Sequence, residues 1–164
     1  MFYTVMKSPV GELLLAADET ALRHIIFPPA KPAPDWREDP APLSETIRQL
    51  RAWFAGDLRD FHLPLAPEGP AFHQRVWREL CNIPYGETIS YGELARRIGS
   101  PNASRAVGRA NGANPIPIVI PCHRVIGSNG KLTGYGGGLP RKEFLLALEH
   151  KQMQLPLAAS ATVP

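Results

Sequence analysis

Three prolines, Pro115, Pro117 and Pro121, fall in the run Asn114-Pro115-Ile116-Pro117-Ile118-Val119-Ile120-Pro121-Cys122-His123-Arg124-Val125, and they constrain this chain more than any other feature. Proline fixes φ and removes a backbone donor, and the residue before it is pushed out of helical geometry. The run therefore cannot be a helix. Missing ladder donors also make it a poor central strand. With β-branched residues between the prolines, the expectation is a stiff, apolar, extended and buried segment that carries Cys122 to a fixed place.

A thiol in such a place is either an inert core residue or a nucleophile. Cys81 offers a contrast. It follows Phe72, Val76 and Leu80 at helical spacing and reads as a core residue at a helix end. Cys122 instead has His123 and Arg124 beside it, and positive neighbours favour thiolate over thiol.

Size and charge bound the rest. At 164 residues and 44% apolar content, the chain can build a real core in one domain or two small ones. No apolar run approaches the roughly 18 residues of a membrane span. The start, Met1-Phe2-Tyr3-Thr4-Val5-Met6-Lys7, lacks the pattern of a secretory signal. Two cysteines without CxxC spacing exclude a disulfide scaffold and a zinc finger, which points to the reducing cytoplasm. The net charge of +3 is unevenly spread. Residues 1–69 hold seven Lys/Arg against ten Asp/Glu, while residues 70–150 hold ten against five. The basic half contains Cys122, so a polyanion such as nucleic acid is the natural partner class; an ordinary solvated surface is the plain alternative.

Along the chain, Phe2–Met6, Glu12–Ala17 and Leu22–Phe27 read as strands, and Pro28 to Pro42 as a proline-rich loop. A helix begins at Ser44, puts Ile47, Leu50, Arg51 and Phe54 on one face, and ends near Gly56; Leu58–Leu65 is a further candidate strand. A helix over Ala71–Cys81 follows a proline-rich boundary. Ser90 and Glu93 have capping-box spacing, Gly99 suits a helix end, and a second short helix is expected from Ala103 to Asn111. This is a helix-turn-helix pattern, which other helical hairpins share. The second helix is mostly small residues with Arg105 and Arg109, a poor reader of base edges. A glycine-rich loop from Gly127 to Gly138 carries Tyr135 and lacks the ending of a phosphate-binding loop. The last helix, Pro140 to His150, is expected to bury Phe144, Leu145 and Leu148. The expected organisation is α+β: a small antiparallel sheet with a helix over 1–66, a mainly helical unit with a winged-helix-like helix-turn-helix over 67–152, and a disordered tail over 153–164.

The assembled motifs resemble those of the O6-alkylguanine-DNA alkyltransferases. The resemblance covers about residues 70–150 and rests on Asn114 through Arg124, Ile89-Ser90-Tyr91, Ser104-Arg105-Ala106-Val107-Gly108, and Thr133-Gly134-Tyr135 through Gly138. It implies that Cys122 takes the alkyl group from O6 of guanine, and more weakly from O4-alkylthymine, once per molecule. His123 would deprotonate the thiol through a bridging water, oriented by Glu149. Tyr91 would donate a proton to the leaving base. Arg105 would fill the stack vacated by the extruded nucleotide, since the O6 group is inaccessible inside a duplex. Asn114 would tie the helix-turn-helix to the active-site segment. Tyr135, Gly136 and Gly137 would line the pocket, and the Cys122 and Val125 carbonyls would hold the exocyclic amine of guanine. Ser104 would be a DNA-binding residue, and Ala110 matches a small recognition-helix position that permits close approach to the groove. The implied partner is double-stranded DNA bearing O6-alkylguanine, met by a monomer without cofactor, metal or membrane. Three competing readings are a binding-only relative, a turnover cysteine hydrolase and a helix-turn-helix regulator.

Overall fold

The computed structural model describes residues 1–155. The expected disordered tail lies for the most part outside the described residues, but Met153 itself is helical. The described chain divides into two compact units, Met1–Pro67 with residues 151–155, and Glu68–His150.

The first unit is built on a four-stranded sheet in the order β3-β2-β1-β4. Strand β1 (Phe2–Met6) pairs antiparallel with β2 (Leu13–Ala17), and β2 pairs antiparallel with β3 (Leu22–Ile26). These three strands form the expected antiparallel sheet. Strand β4 (Arg37–Glu38), inside the stretch read as a proline-rich loop, adds to β1 in parallel. Every residue of β2 is buried, as expected for an uninterrupted apolar run in a central strand. Helix α1 (Ser44–Ala55) ends on Gly56 in the left-handed conformation, φ 84°. Its buried face is Thr46, Gln49, Leu50 and Trp53, a rotation from the predicted face that brings the tryptophan inward. The expected strand over Leu58–Leu65 reduces to a single bridge between Leu22 and Leu65. Arg59 donates to the backbone carbonyls of Gln152 and Leu155, which belong to this same unit.

The second unit is helical. Helix α2 (Ala71–Leu80) buries Val76, Trp77 and Leu80. Cys81 caps its C-terminus and is exposed, not buried as its helical spacing suggested. Strand β5 (Ile89–Ser90) leads into α3 (Tyr91–Arg97), where Ser90 Oγ accepts from the Glu93 amide at 3.0 Å. Gly99 then turns the chain at φ 78°. Helix α4 (Ser104–Gly112) packs against α2 and α3, completing the helix-turn-helix. The buried Trp77 indole donates to the Ala110 carbonyl at 2.8 Å and pins α4 to α2. Strand β6 (Val125–Ile126) pairs in parallel with β5. Helix α5 (Leu139–Met153) runs past the expected end and buries Lys142, Leu145 and Glu149; Phe144 is exposed and Leu148 only partly covered. No helix among the described residues is long and apolar enough to cross a membrane.

Candidate active site

The proline run is buried as expected but is not extended. It closes into a compact loop in which the Ile120 amide donates to the Ile116 carbonyl at 2.9 Å. Pro117 has the φ that a turn needs at its second position, and Ile118 follows in the left-handed region at φ 75°, buried. For a β-branched residue this is an outlier that costs on the order of 1–3 kcal/mol, so the surroundings must enforce it. Asn114 does so from inside the loop. Its Nδ2 donates to the Ile120 carbonyl at 2.8 Å, and its Oδ1 accepts from the Ile116 amide at 3.0 Å.

Pro121, at φ −80° and ψ 64°, makes an inverse γ-turn in which the Cys122 amide donates to the Ile120 carbonyl at 2.7 Å. Cys122–Arg124 then form one 3-10 turn, and all three side chains are buried. The Cys122 carbonyl accepts from the Val125 amide and from Asn111 Nδ2 at 3.2 Å. Both its lone pairs are thereby taken, which disfavours the expectation that it holds a guanine amine. The Val125 carbonyl accepts from Lys142 Nζ at 2.6 Å.

Burial pushes the Cys122 thiol above its ordinary value; Asn114, the Tyr135 hydroxyl and the Lys142 charge pull the other way without overcoming it. The thiol at rest is therefore protonated and needs a base. His123 is fully buried, with Nε2 donating to Glu149 Oε2 at 2.7 Å. Burial pushes the imidazole below its ordinary value, and Arg124 and Lys142 add to this, while Glu149 opposes them. Burial would raise the Glu149 carboxyl, but hydrogen bonds and charge from His123 and Arg124 win and hold it at about 2. The Gly86 amide also donates to Glu149 Oε1 at 3.1 Å.

Arg124 departs from its expected part. The charge that acts on the thiol is that of Lys142; the Arg124 fork is committed to Glu149, with Nε at 2.9 Å from Oε1 and Nη2 at 2.8 Å from Oε2. Lys142 is a residue that the sequence reading missed. It is buried, donates to Thr133 O at 3.0 Å as well as to Val125 O, and lies 5.9 Å from the Tyr91 ring centroid. The signal was available: Lys142, Leu145 and Glu149 fall at i, i+3 and i+7, on one helix face. Asn111 was missed too, although Val107, Ala110 and Asn111 share the buried face of α4.

Of the expected site residues, the structure brings Cys122, His123, Glu149, Asn114 and Tyr135 together, and Lys142 links Val125 to Tyr91. Gly136 is exposed; a Cβ added there would meet only the Gly112 carbonyl, at 3.7 Å. Gly137 is buried, and its carbonyl accepts from Arg141 Nη1 at 3.0 Å. Ser104 and Arg105 are exposed at the start of α4. Ala110 is corrected: its side chain is fully buried on the inner face of α4, so it cannot touch a groove. The outward face of the helix is Ser104, Arg105, Gly108, Arg109 and Gly112.

Fold and site together define a buried cysteine, backed by imidazole and carboxylate, on a helix-turn-helix frame. Comparison with known proteins places that arrangement. The profile described as "6-O-methylguanine DNA methyltransferase, DNA binding domain" matches residues 71–151, and that described as "6-O-methylguanine DNA methyltransferase, ribonuclease-like domain" matches residues 1–67. The chain belongs to the 6-O-methylguanine DNA methyltransferase family. It is 55% identical to the methylated-DNA–protein-cysteine methyltransferase of Methanosarcina acetivorans over 91% of this chain and 98% of that protein. Its counterpart of the same name in Mycobacterium tuberculosis is 51% identical over 90% of this chain and 91% of its own length. Among solved structures, Mycobacterium tuberculosis OGT in complex with DNA superposes with a TM-score of 0.89 at 50% identity, covering 93% of this chain and 94% of its own.

Proposed function

We propose that this chain repairs double-stranded DNA by direct, single-turnover alkyl transfer from O6 of guanine to Cys122. Sγ forms a bond to the alkyl carbon as that carbon's bond to O6 breaks. The thiol proton passes to His123 through a water, and the leaving guanine takes a proton from Tyr91. The thioether has no route to hydrolysis, so one molecule acts once and as a single copy. Weaker transfer from O4-alkylthymine belongs to the same reading.

The observation that carries this reading is the commitment of the Cys122 backbone. Its amide is spent on the Ile120 carbonyl, beside a thiol whose base, His123, already has its orienting carboxylate. A cysteine hydrolase needs donors aimed at a developing oxyanion, often including the nucleophile's own amide. That donor is occupied here. Displacement at an alkyl carbon develops no oxyanion at the attacked centre and needs none; the charge that develops on the guanine is met by Tyr91. Asn114 holds the loop, Tyr135 stands against the thiol, and the Val125 carbonyl, with Gly136 and Gly137, lines the place for the base. Ser104 and Arg105 on exposed α4 meet the DNA, with Arg105 replacing the extruded nucleotide in the stack.

Intact mass after incubation with an O6-methylguanine duplex tests the proposal. A gain of one methyl group mapping to Cys122 is expected, and Cys122→Ser should lose transfer while keeping DNA binding. Fresh reduced protein that gains no methyl group would refute it and favour a binding-only protein.

A further inference from the structure

Arg124 has no part in the relay just described, yet its side chain makes four hydrogen bonds within the site. Its guanidinium is buried, 6% exposed, with Nε donating to both Glu149 oxygens at 2.9 and 3.1 Å. Nη2 donates to Glu149 Oε2 at 2.8 Å and Nη1 to the Ile83 carbonyl at 2.7 Å. The plane lies 5.5 Å from the centroid of the Tyr85 ring. The loop between α2 and β5 thus anchors Arg124 by a carbonyl, and the Gly86 amide of the same loop holds Glu149. A carboxylate that only oriented His123 would need one such partner. This one has three.

We infer that Arg124 is a positioning residue for the proton relay: its fork fixes both oxygens of Glu149, and its charge offsets the pull of that carboxylate on a second His123 proton. The reason is electrostatic. A buried imidazole facing a lone carboxylate at 2.7 Å gains strongly from becoming imidazolium, and an imidazolium cannot accept the thiol proton. With Arg124 on the same carboxylate, the pair is already neutral in sum, and His123 stays an acceptor. The other charged group facing His123 is Lys142 from α5, which also disfavours imidazolium. The loop packed against this cluster contributes a carbonyl and an amide, and its one carboxylate, Glu87, is exposed. The adjacency of Cys122, His123 and Arg124 in sequence therefore has a division of labour: nucleophile, base, and the counter-charge that keeps the base neutral.

The rate arm of the test rests on the alkyl-transfer reading, and the titration arm does not. His123 is titrated by NMR in alkyl-free protein, and methyl transfer is timed from pH 5 to 9 with an O6-methylguanine duplex. Arg124→Met should raise the His123 midpoint by about one pH unit or more. Transfer should then fall about tenfold on the acid limb and much less on the alkaline plateau. Arg124→Lys keeps the charge and loses the fork, so the midpoint should stay while the plateau slows. An Arg124→Met protein that loses rate equally at every pH, with the His123 midpoint unmoved, would reduce Arg124 to a structural strut and overturn the inference. Should that variant not fold, Arg124→Lys decides, since an unchanged plateau would show that the fork positions nothing. If the wild-type protein takes no methyl group, the functional reading fails, and the His123 midpoint still settles the inference.

Discussion

Glu149→Gln isolates the electrostatics of the site, because glutamine matches a protonated glutamate in shape and carries no charge. In the folded protein the Glu149 carboxyl is held at about 2 against an ordinary value of 4.5. At about 1.4 kcal/mol per pH unit, that displacement stabilises the fold by about 3 kcal/mol once the group is ionised in both states. The other partner gives a matching figure. Arg124 is buried, and removing the carboxylate bonded to it leaves an uncompensated charge, at a cost of about 3–5 kcal/mol. The sign follows from the depressed folded value. The stabilisation is complete above the unfolded value and is lost as pH falls from there through about 2. Urea titrations of wild type and Glu149→Gln at several pH values from 8 to 3 should therefore show the variant weaker by about 3 kcal/mol at neutral pH. The gap should begin to close below pH 4.5 as the wild type itself protonates. A gap under about 1 kcal/mol, or one that stays constant down to pH 3, would refute the electrostatic account of this site.

Arg109 is exposed one turn after Arg105 on the outward face of α4. If it meets a phosphate, Arg109→Ala should weaken binding to damaged and undamaged duplex alike and lower the slope of log K against log salt by about 0.9. An unchanged slope in fluorescence anisotropy would remove Arg109 from the interface. Trp77→Phe deletes the buried indole donor to the Ala110 carbonyl along with part of a core ring. It should destabilise the second unit by about 2 kcal/mol in chemical denaturation. A loss under about 0.5 kcal/mol would mean that α4 is not held to α2 in this way.

Those parts of the fold that depend on neighbouring residues were legible. The strand runs of the first unit, the cap from Ser90 to the Glu93 amide and the left-handed glycines Gly56 and Gly99 follow from period and punctuation. So did the pairing of His123 with Glu149, through the resemblance their motifs carry. What failed was anything decided by a third body. Arg124 sits beside Cys122 in sequence and looked like its counter-charge, but the carboxylate 25 residues away outbids the thiol for the guanidinium. Ala110 looked suited to a groove, but the side of α4 that faces α2 is set by Val107 and Asn111 and by the Trp77 bond, and Ala110 lies on that side. Lys142 was passed over because a lysine on an apolar helix face is rare unless something satisfies it. Here two carbonyls, that of Val125 in β6 and that of Thr133 in the glycine-rich loop, do so.

The proline run shows the same limit in its sharpest form. Three prolines exclude a helix and a central strand, yet they do not choose among the irregular paths that remain. The path is chosen by the Asn114 side chain, which spans from the Ile116 amide to the Ile120 carbonyl and so forces the chain to double back between them. Doubling back after Pro117 requires a positive φ at the next residue, and that residue is isoleucine, not glycine. Glycine would make the turn without strain but would leave it free to take other turns. Isoleucine keeps its left-handed conformation only while Asn114 and the packing around its buried side chain hold it there. The loop is therefore rigid because it is over-determined. That rigidity passes through the Pro121 γ-turn to Cys122, whose sulfur must lie in line with the bond between the alkyl carbon and O6 of guanine.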